Sequence, residues 1–503
     1  MTNSSSHTEK QNYSTPPGSV TNQAIKIGGK NLVYETRAEW VLLRKEEKPV
    51  AEMFHVAYLL KDQKQEQRPL TFIFNGGPGA ASAFLHIGAI GPKRIFFNEN
   101  GTAPKSPVLL MDNMESWIQF SDLVFIDPVT TGFSRVITNP CCSENADKNN
   151  SSPQTEVSHD TEYYGLNSDL NSLGKFIIKF LSKHKRWDSP IYIAGESYGG
   201  FRAACMAKRL QSEFGVGLNG VVIISPVFEF ITIDPTDYDM QSWLNIFPTL
   251  AIVAAFKKKK KKYSKETPIN KIAKEAEIFA NNEFLKFLSL GTILSKQERA
   301  NIISEMSAYT GLSKEDLYKS EWRINHARFG KRLLHKERKL CGLYDASVTG
   351  IDPFPDRYNS NEPDPTLASF KRLFAAGINA HLRKNLELET ERSYLLLNCK
   401  AGENWKLESS KYDFFKRQIG ATDELRFGMA LNPHMKVFIT HGYYDLVTPY
   451  YSSIRIINQM RLDPSLKKNL VVKNYKGGHM FYTWDESRKE FSKAMKSFFK
   501  ETC

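Results

Sequence analysis

The stretch IYIAGESYGG, Ile191 to Gly200, decides the fold of this 503-residue chain. It joins a short apolar run to G-x-S-x-G, and a helical pattern, Phe201 to Leu210, follows directly. In this strand–turn–helix context the motif is a tight turn that holds its serine above a sheet edge, within reach of a base. The flanking glycines keep side chains clear of the strained serine backbone. Ser197 is therefore the candidate nucleophile, although G-x-S-x-G by itself also arises by chance.

A second turn, earlier in the chain, supplies candidate donors for an oxyanion. The stretch TFIFNGGPG, Thr71 to Gly79, is again a strand-like run that meets a glycine-rich turn. Acyl-transfer enzymes aim backbone N–H groups at the developing oxyanion, one from an early loop and one from the residue after the nucleophile. These positions are Gly77 and Tyr198. A plain glycine turn is the alternative, and the position of the stretch upstream of the serine motif favours the functional interpretation.

Two late strands end at the remaining members of a catalytic triad. The apolar run Val437 to Thr440 leads to Asp445, and the run Leu470 to Tyr475 leads to His479. The chain order Ser, Asp, His is the order of α/β-hydrolase triads. His479 would accept the serine proton, and Asp445 would hold the imidazole in the correct tautomer. An isolated Asp or His at a strand end is more often a loop cap or a surface group, but here both lie where the fold needs them.

The pattern along the chain predicts an α/β-hydrolase fold with a mostly parallel central sheet, helices on both faces and a helical cap insertion. Residues 1–23 are rich in Ser, Thr, Asn and Pro and are predicted to be a disordered polar tail. Residues 24–230 and 426–503 are predicted to form the hydrolase core. Between them, residues 231–425 carry long Lys/Glu-rich helical stretches, which favour a cap over the active site where substrate selectivity would reside.

Several segments together resemble the serine carboxypeptidase family, peptidase family S10, and in particular a bacterial branch without the disulfides of the eukaryotic enzymes. The resemblance runs from about Lys26 to Phe499. The matching segments are Asn75 to Gly79, Gly195 to Gly200, Gly442 to Asp445, Gly478 to Met480 and, with one residue fewer, Asp127 to Ser134. The first four of these motifs, in order over several hundred residues, make an accidental similarity very improbable.

The resemblance implies a serine-type carboxypeptidase that releases C-terminal amino acids from peptides through an acyl-enzyme, without a metal or an organic cofactor. It implies that Ser197 is the nucleophile and that Asp445 and His479 are its triad partners. It also implies oxyanion donors in Gly77 and Tyr198, and binding of the substrate's terminal carboxylate by Asn75, Gly76 and Glu196. An esterase or acyltransferase with the same triad is the alternative. A catalytically silent binding scaffold is less favoured, because all three triad residues are present.

One position departs from the family pattern. In the family, Glu196 would share a proton with a second glutamate, which should fall near Ala89, where this chain has no acid. Without that like-charge neighbour, we expect Glu196 to ionise near its ordinary pKa of about 4.3 and to repel a terminal carboxylate at neutral pH. Another acid, from the insertion, could replace the missing one. Alternatively, Glu196 only supports the serine turn by hydrogen bonding.

The amino-terminal segment and the cysteines give an expectation about location. The tail has no apolar segment of the kind found in signal peptides. The six cysteines show no metal-type C-x-x-C spacing, and Ala80 stands where the family has a disulfide cysteine. The simplest prediction is reduced thiols in a cytoplasmic enzyme. Export by a route without a signal peptide stays open.

The net charge of +13 includes six consecutive lysines, Lys257 to Lys262. They follow an apolar segment that ends at Phe256, so a solvated helix end is the favoured interpretation. Contact with nucleic acid or with an anionic membrane is less favoured, because no nucleic-acid motif accompanies the run. No segment reaches the roughly 20 apolar residues of a membrane helix. The expected partner is a peptide substrate, with no nucleic acid and no integral membrane segment; a homodimer stays open.

Overall fold

The computed structural model describes residues 13–61, 67–137, 159–233, 236–259, 262–263, 267–357, 364–406 and 420–502. Its strands are β1 (Ser19–Ile27), β2 (Lys30–Lys45), β3 (Lys48–Leu60), β4 (Leu70–Phe74), β5 (Lys93–Ile95), β6 (Leu110–Asp112), β7 (Asp122–Ile126), β8 (Arg135–Val136), β9 (Ile191–Glu196), β10 (Gly220–Ile224), β11 (Lys339–Cys341), β12 (Thr349–Ile351), β13 (Lys436–Gly442) and β14 (Leu470–Tyr475). Its helices are α1 (Ala83–Leu85), α2 (Leu166–Lys183), α3 (Tyr198–Glu213), α4 (Met240–Phe256), α5 (Ile269–Phe279), α6 (Leu285–Leu290), α7 (Lys296–Thr310), α8 (Lys314–Lys319), α9 (His326–Arg332), α10 (Pro365–Ala380), α11 (Cys399–Glu403), α12 (Thr422–Leu431), α13 (Tyr450–Gln459) and α14 (Asp485–Thr502).

The central sheet has the strand order β1-β2-β3-β7-β4-β9-β10-β13-β14, with β8 paired to β3. All neighbours from β7 to β14 are parallel, while β1, β2 and β3 form an antiparallel start that joins β7. Helices connect the parallel strands, as right-handed β-α-β connections require. This sheet confirms the predicted α/β-hydrolase fold.

Helices cover both faces of the sheet, because alternate residues of a strand point to opposite sides. In β9, Tyr192 and Ala194 belong to one core with Phe498 of α14. Ile191 and Ile193 belong to a second core with helices α2 and α3. Since both sets are fully buried, β9 lies in the middle of three layers, and its carboxyl end can present a side chain at the sheet edge.

The predicted insertion, residues 231–425, divides into two packing regions. Helices α4 to α9 form a third core, which also contains Tyr444 and Leu446 next to the predicted triad aspartate. Helix α10 instead packs on the sheet side of the molecule, where Phe374 contacts Phe84 at a ring-centroid distance of 4.8 Å. The cap boundaries at 231 and 425 remain predictions. In the described ranges, no helix combines the length and the apolar character that a membrane crossing requires.

Part of the segment predicted to be a disordered tail, residues 1–23, is a strand. Residues 1–12 lie outside the described residues, but β1 already begins at Ser19, inside the predicted tail of residues 1–23. Its ladder with β2 runs from Ser19 opposite Ala38 to Ile27 opposite Lys30. Backbone hydrogen bonds hold this edge strand irrespective of its polar side chains, and polar composition is typical of edge strands.

The lysine run after α4 is not simply a solvated helix end. Lys257 donates from Nζ to the carbonyl of Ser347 at 2.5 Å. Lys259 pairs with Glu337, and Lys262 lies 3.7 Å from the ring centroid of Tyr309. Lys258 is exposed, as predicted. Residues 260–261 lie outside the described part, as do Cys141, Cys142 and Cys503. The run therefore ties α4 to neighbouring parts of the insertion.

Candidate active site

The serine turn has the strained geometry that its sequence predicts. Ser197 stands between β9 and α3 with φ 61° and ψ −126°, a conformation that non-glycine residues rarely adopt. Its N–H donates to the carbonyl of Ile224 on the neighbouring strand at 2.9 Å. A Cβ on Gly195 would lie 1.9 Å from the carbonyl oxygen of Gly199. The two glycines are therefore required for the turn, and the turn is anchored to the sheet.

The predicted acid and base are in direct contact. His479 Nδ1 lies 2.7 Å from Asp445 Oδ2, and both residues are buried. The other carboxylate oxygen of Asp445 accepts the N–H groups of Val447 and Thr448 at 2.8 and 3.0 Å. Thr448 Oγ1 donates to Asp445 Oδ2 at 2.7 Å. These donors fix the carboxylate, which in turn fixes the tautomer with the proton on Nδ1.

His479 is the candidate base for the predicted nucleophile. Its Nε2 is buried and makes no hydrogen bond to any described residue, while His479 and Ser197 line the same cavity. Burial by itself would lower the pKa of His479, but the charges of Asp445 and Glu196 outweigh it, and the pKa lies above the ordinary histidine value. Catalytic hydrogen bonds often tighten only when substrate is present, so the missing contact with Ser197 leaves His479 the candidate base.

The glycine loop that contains Gly77 lies against the start of α3, where Tyr198 stands. A Cβ on Gly76 would come within 2.5 Å of the Tyr198 nitrogen, so the glycine loop rests against the start of α3. Tyr198 is the first residue of that helix, and its N–H has no partner within the helix. Gly77 has φ +102° and lines the cavity. The positive end of the helix dipole adds to the attraction for an anion at this place.

The predicted carboxylate-binding residues form one cluster. Asn75 donates from its amide to Oε2 of Glu196. Tyr482 donates from its hydroxyl to Glu196, 2.9 Å from Oε1 and 3.0 Å from Oε2. Glu196 is 2% exposed. Gly76 lines the same cavity.

The expected pKa of Glu196 is wrong. Burial raises it to about 7, and the neighbouring imidazolium and two hydrogen bonds counteract only part of that rise. The sequence argument considered only the missing like charge near Ala89, whereas removal from water disfavours the ionised carboxyl without any second acid. Glu196 is therefore a neutral hydrogen-bond donor in acid and is about half ionised near neutrality.

One cavity of about 60 Å³ collects these groups. Its polar side contains Asn75, Glu196, Ser197 and His479, and its apolar side is lined by Phe84, Tyr344, Leu367, Leu397 and Met480. Three of the apolar residues, Tyr344, Leu367 and Leu397, belong to the predicted insertion. The insertion thus contributes to the wall of the site, beside the nucleophile.

Several supporting residues were not found from the sequence. Thr448 and Tyr482 lie three residues after Asp445 and His479, and this spacing was the one available signal. Arg202 pairs with Asp169 at 2.6 Å and donates to the carbonyl of Asn75 at 2.6 Å, which fixes the glycine loop from behind. Nothing in the local sequence connects these positions.

Metal-ligating groups and thiols are the other candidate chemistry among the described residues. They contain no group of three or more His, Cys, Asp or Glu side chains arranged to hold a metal ion. Cys205 and Cys341 are buried free thiols, and Cys399 is an exposed one. Burial raises the pKa of the Cys341 thiol to about 11, so this thiol is a poor nucleophile.

The strand order defines the class of protein by fold, an α/β hydrolase, and Ser197, Asp445 and His479 stay its candidate catalytic residues. A family model for the serine carboxypeptidases, Peptidase_S10, matches residues 34–495. The chain therefore belongs to the serine carboxypeptidase family, and the resemblance noted in its sequence is confirmed.

Three curated relatives illustrate how far the similarity extends. Serine carboxypeptidase-like 45 of Arabidopsis thaliana is 29% identical over 174 residues, which are 33% of this chain and 31% of that protein. Carboxypeptidase sxa2 of Schizosaccharomyces pombe is 26% identical over 366 residues, 65% of this chain and 62% of that protein. Pheromone-processing carboxypeptidase KEX1 of Yarrowia lipolytica is 29% identical over 165 residues, 32% of this chain and 22% of that protein. The chain thus spans less than two thirds of the length of each.

The expected location is wrong. Relatives such as sxa2 and KEX1 are secreted or vacuolar/Golgi carboxypeptidases, which contradicts the cytoplasmic assignment made from the tail and the cysteines.

Among solved structures, the proline iminopeptidase of Mycobacterium smegmatis covers 96% of this chain and 98% of its own, with 12% identity and a TM-score of 0.35. Because this TM-score is low, the fold is described by the strand order of the central sheet and not by this likeness.

Proposed function

We propose that this chain is a serine-type carboxypeptidase that removes the last residue of a peptide through an acyl-enzyme on Ser197. One observation carries the proposal. Asn75 and Glu196, hydrogen-bonded to each other, line the same cavity as Ser197 and His479. A terminal carboxylate held by the first pair brings the last peptide bond to the second, and this geometry selects the end of a chain over its interior.

The reaction follows from the positions of the protons. Ser197 Oγ attacks the carbonyl carbon of the last peptide bond while His479 Nε2 accepts the serine proton. The N–H groups of Gly77 and Tyr198 receive the negative charge that develops on the carbonyl oxygen. His479, now an imidazolium stabilised by Asp445, gives its proton to the leaving amine, and the C-terminal amino acid departs. A water, deprotonated by the same imidazole, then attacks the ester and releases the shortened peptide.

The state of Glu196 determines how the terminal carboxylate is received. Below neutrality the buried carboxyl is protonated and donates a hydrogen bond to the anion, as the side-chain amide of Asn75 also can. Above neutrality its charge opposes binding. The expected preference is therefore for free carboxyl termini at acid to neutral pH, in place of the repulsion predicted from the sequence.

The test is a peptide assay with product identification by mass spectrometry. One peptide is offered with a free and with an amidated terminus, and Ser197→Ala is the control for contaminating activity. We expect single C-terminal amino acids from the free peptide, and none with the control. Internal cleavage, or release that persists in Ser197→Ala, would overturn the proposal. Turnover of small acyl esters without any peptide hydrolysis would favour the esterase or acyltransferase alternative.

A further inference from the structure

Tyr482 is a buried tyrosine for which the triad mechanism has no role. It lies three residues after His479, on a short 3-10 turn, and is 0% exposed. Its hydroxyl is 2.9 and 3.0 Å from the two carboxyl oxygens of Glu196. The loop that supplies the base therefore also supplies a neutral partner to the carboxylate-binding acid.

The ring of Tyr482 packs beside the place where an acid is missing. The turn that carries it contacts the π turn His86–Ile90, which contains Gly88 and Ala89. A Cβ on Gly88 would lie 3.0 Å from Cε2 of Tyr482, and Ala89 is buried in the same core. Small side chains on the π turn thus leave room for the tyrosine ring.

We propose that Tyr482 takes the place of the missing second acid and positions Glu196 to donate its proton to the terminal carboxylate of a peptide. This inference rests on the proposed carboxypeptidase activity. Asn75 donates to Oε2 of Glu196, and the Tyr482 hydroxyl lies within hydrogen-bond distance of both carboxyl oxygens. When the phenol also donates to Oε2, Oε1 carries the acid proton. A second carboxyl would share that proton, whereas a phenol adds a hydrogen bond without adding a charge.

Because of the groups around Glu196, binding of the terminal carboxylate should depend on one proton, that of Glu196. Its neighbours are Asn75, Tyr482, His479, Asp445 and Tyr344. Burial, together with the charge of Glu196, raises the pKa of Tyr482 well above the ordinary tyrosine value, so Tyr482 stays neutral in any assay range. Outside the triad, Glu196 is then the group of this set that changes charge near the substrate carboxylate. KM for a free-terminus peptide should rise with pH through a single proton.

The experiment compares Tyr482→Phe with the wild type and with Tyr475→Phe. Tyr475 is a matched control: it is 2% exposed, and its hydroxyl makes no hydrogen bond to any described residue. KM and kcat are measured from pH 5 to 9 for one peptide with a free and with an amidated terminus. In Tyr482→Phe we expect KM for the free terminus to rise about tenfold at acid pH, with a smaller effect on kcat.

The midpoint of the KM profile is the readout that a purely structural role would not move. Loss of the hydroxyl removes a hydrogen bond that favours ionised Glu196, so the midpoint should move to higher pH, by about one pH unit. Tyr475→Phe should keep the wild-type midpoint. An unchanged midpoint and KM in Tyr482→Phe overturn the inference. Should that variant not fold, a wild-type KM that follows two protons overturns it instead. Absence of amino-acid release by the wild type refutes the proposed function, and with it this role.

Discussion

The main-chain carbonyl of Tyr344 accepts a hydrogen bond from the N–H of His479 at 2.5 Å. The ring of Tyr344 also stands edge-on to the imidazole, with 5.2 Å between centroids and 88° between planes. A Cβ on Gly478 would lie 2.1 Å from the same carbonyl oxygen, so only glycine permits this approach. A residue of the insertion therefore holds the loop that carries the base, and the insertion does more than cover the site.

Asp345 extends this connection, and we expect Asp345→Asn to impair catalysis. Its buried Oδ2 accepts the N–H of Gly478 at 2.9 Å and the indole N–H of Trp484 at 3.0 Å. An amide in this place presents one oxygen where the carboxylate has two, so the histidine loop should shift. A small displacement of a catalytic group lowers kcat by about 10- to 100-fold. The measurement is kcat on a small ester together with Tm.

The matched control for Asp345→Asn is Asp352→Asn. Asp352 is equally buried in the insertion and pairs with Lys331 at 2.7 Å, and in the described part of the chain it makes no hydrogen bond or ion pair with the histidine loop. The Asp352→Asn variant should have a lower Tm without a comparable loss of kcat. Equal losses of kcat in the two variants would mean that the insertion acts through stability and not through His479.

The triad residues are expected to act as a unit. Ser197→Ala and His479→Ala should each lower kcat by roughly 10⁶-fold, and Asp445→Asn by roughly 10⁴-fold, since the serine, the base and the group that orients the base are interdependent. A fluorophosphonate should label the wild type at Ser197, as read by peptide mapping. Labelling of another residue, or peptide hydrolysis by Ser197→Ala, would refute the assignment.

The local parts of the site could be predicted from the sequence because each is encoded within a few residues. The glycines around Ser197 are required by contacts inside one turn, and Asp445 and His479 follow strands whose apolar runs are plain. Chain order then sufficed to join them. The alternation of β-rich runs and helical patterns predicted the parallel sheet in the same way.

The supporting contacts could not be predicted, because they join residues far apart in the chain. Asp345 and Gly478 are separated by 133 residues, and Arg202 reaches the Asn75 carbonyl across 127. The pKa of Glu196 was mispredicted for a related reason. A missing charge can be read from a sequence, but the burial of a carboxyl depends on Tyr482 and on the packing around it.

Two neighbouring residues of the lysine run, Lys257 and Lys258, should differ in their effect on kcat. Lys257 Nζ donates to the carbonyl of Ser347, whose own N–H donates to Asp345 at 2.9 Å. Lys257→Ala should therefore weaken the support of the histidine loop and lower kcat severalfold on a small ester. Lys258→Ala, at the exposed next position, should leave kcat within experimental error. An unchanged kcat in both variants would restore the interpretation of the run as a solvated helix end.

The two buried groups His479 and Glu196 should affect the pH dependence of kcat/KM in opposite directions. For an amidated peptide, kcat/KM should rise with pH as His479 loses its proton, with a midpoint above the ordinary histidine pKa because Asp445 and Glu196 raise it. For the free terminus, a falling limb should follow, because Glu196 ionises near pH 7 and then repels the carboxylate. The free-terminus profile is thus a narrow bell, while the amidated profile is a single rising limb. The apparent midpoints of the free-terminus profile belong to the coupled pair of His479 and Glu196.

Glu196→Gln separates the two limbs. A glutamine remains neutral and can donate to a carboxylate at every pH, so the falling limb for the free terminus should disappear. Removal of the negative charge should also lower the pKa of His479, which moves the rising limb to more acid pH for both substrates. The measurement is kcat/KM from pH 4.5 to 9.5 for both termini in both enzymes. If the wild-type profiles of the two substrates coincide, Glu196 does not meet the terminal carboxylate; if Glu196→Gln keeps the falling limb, another group produces it.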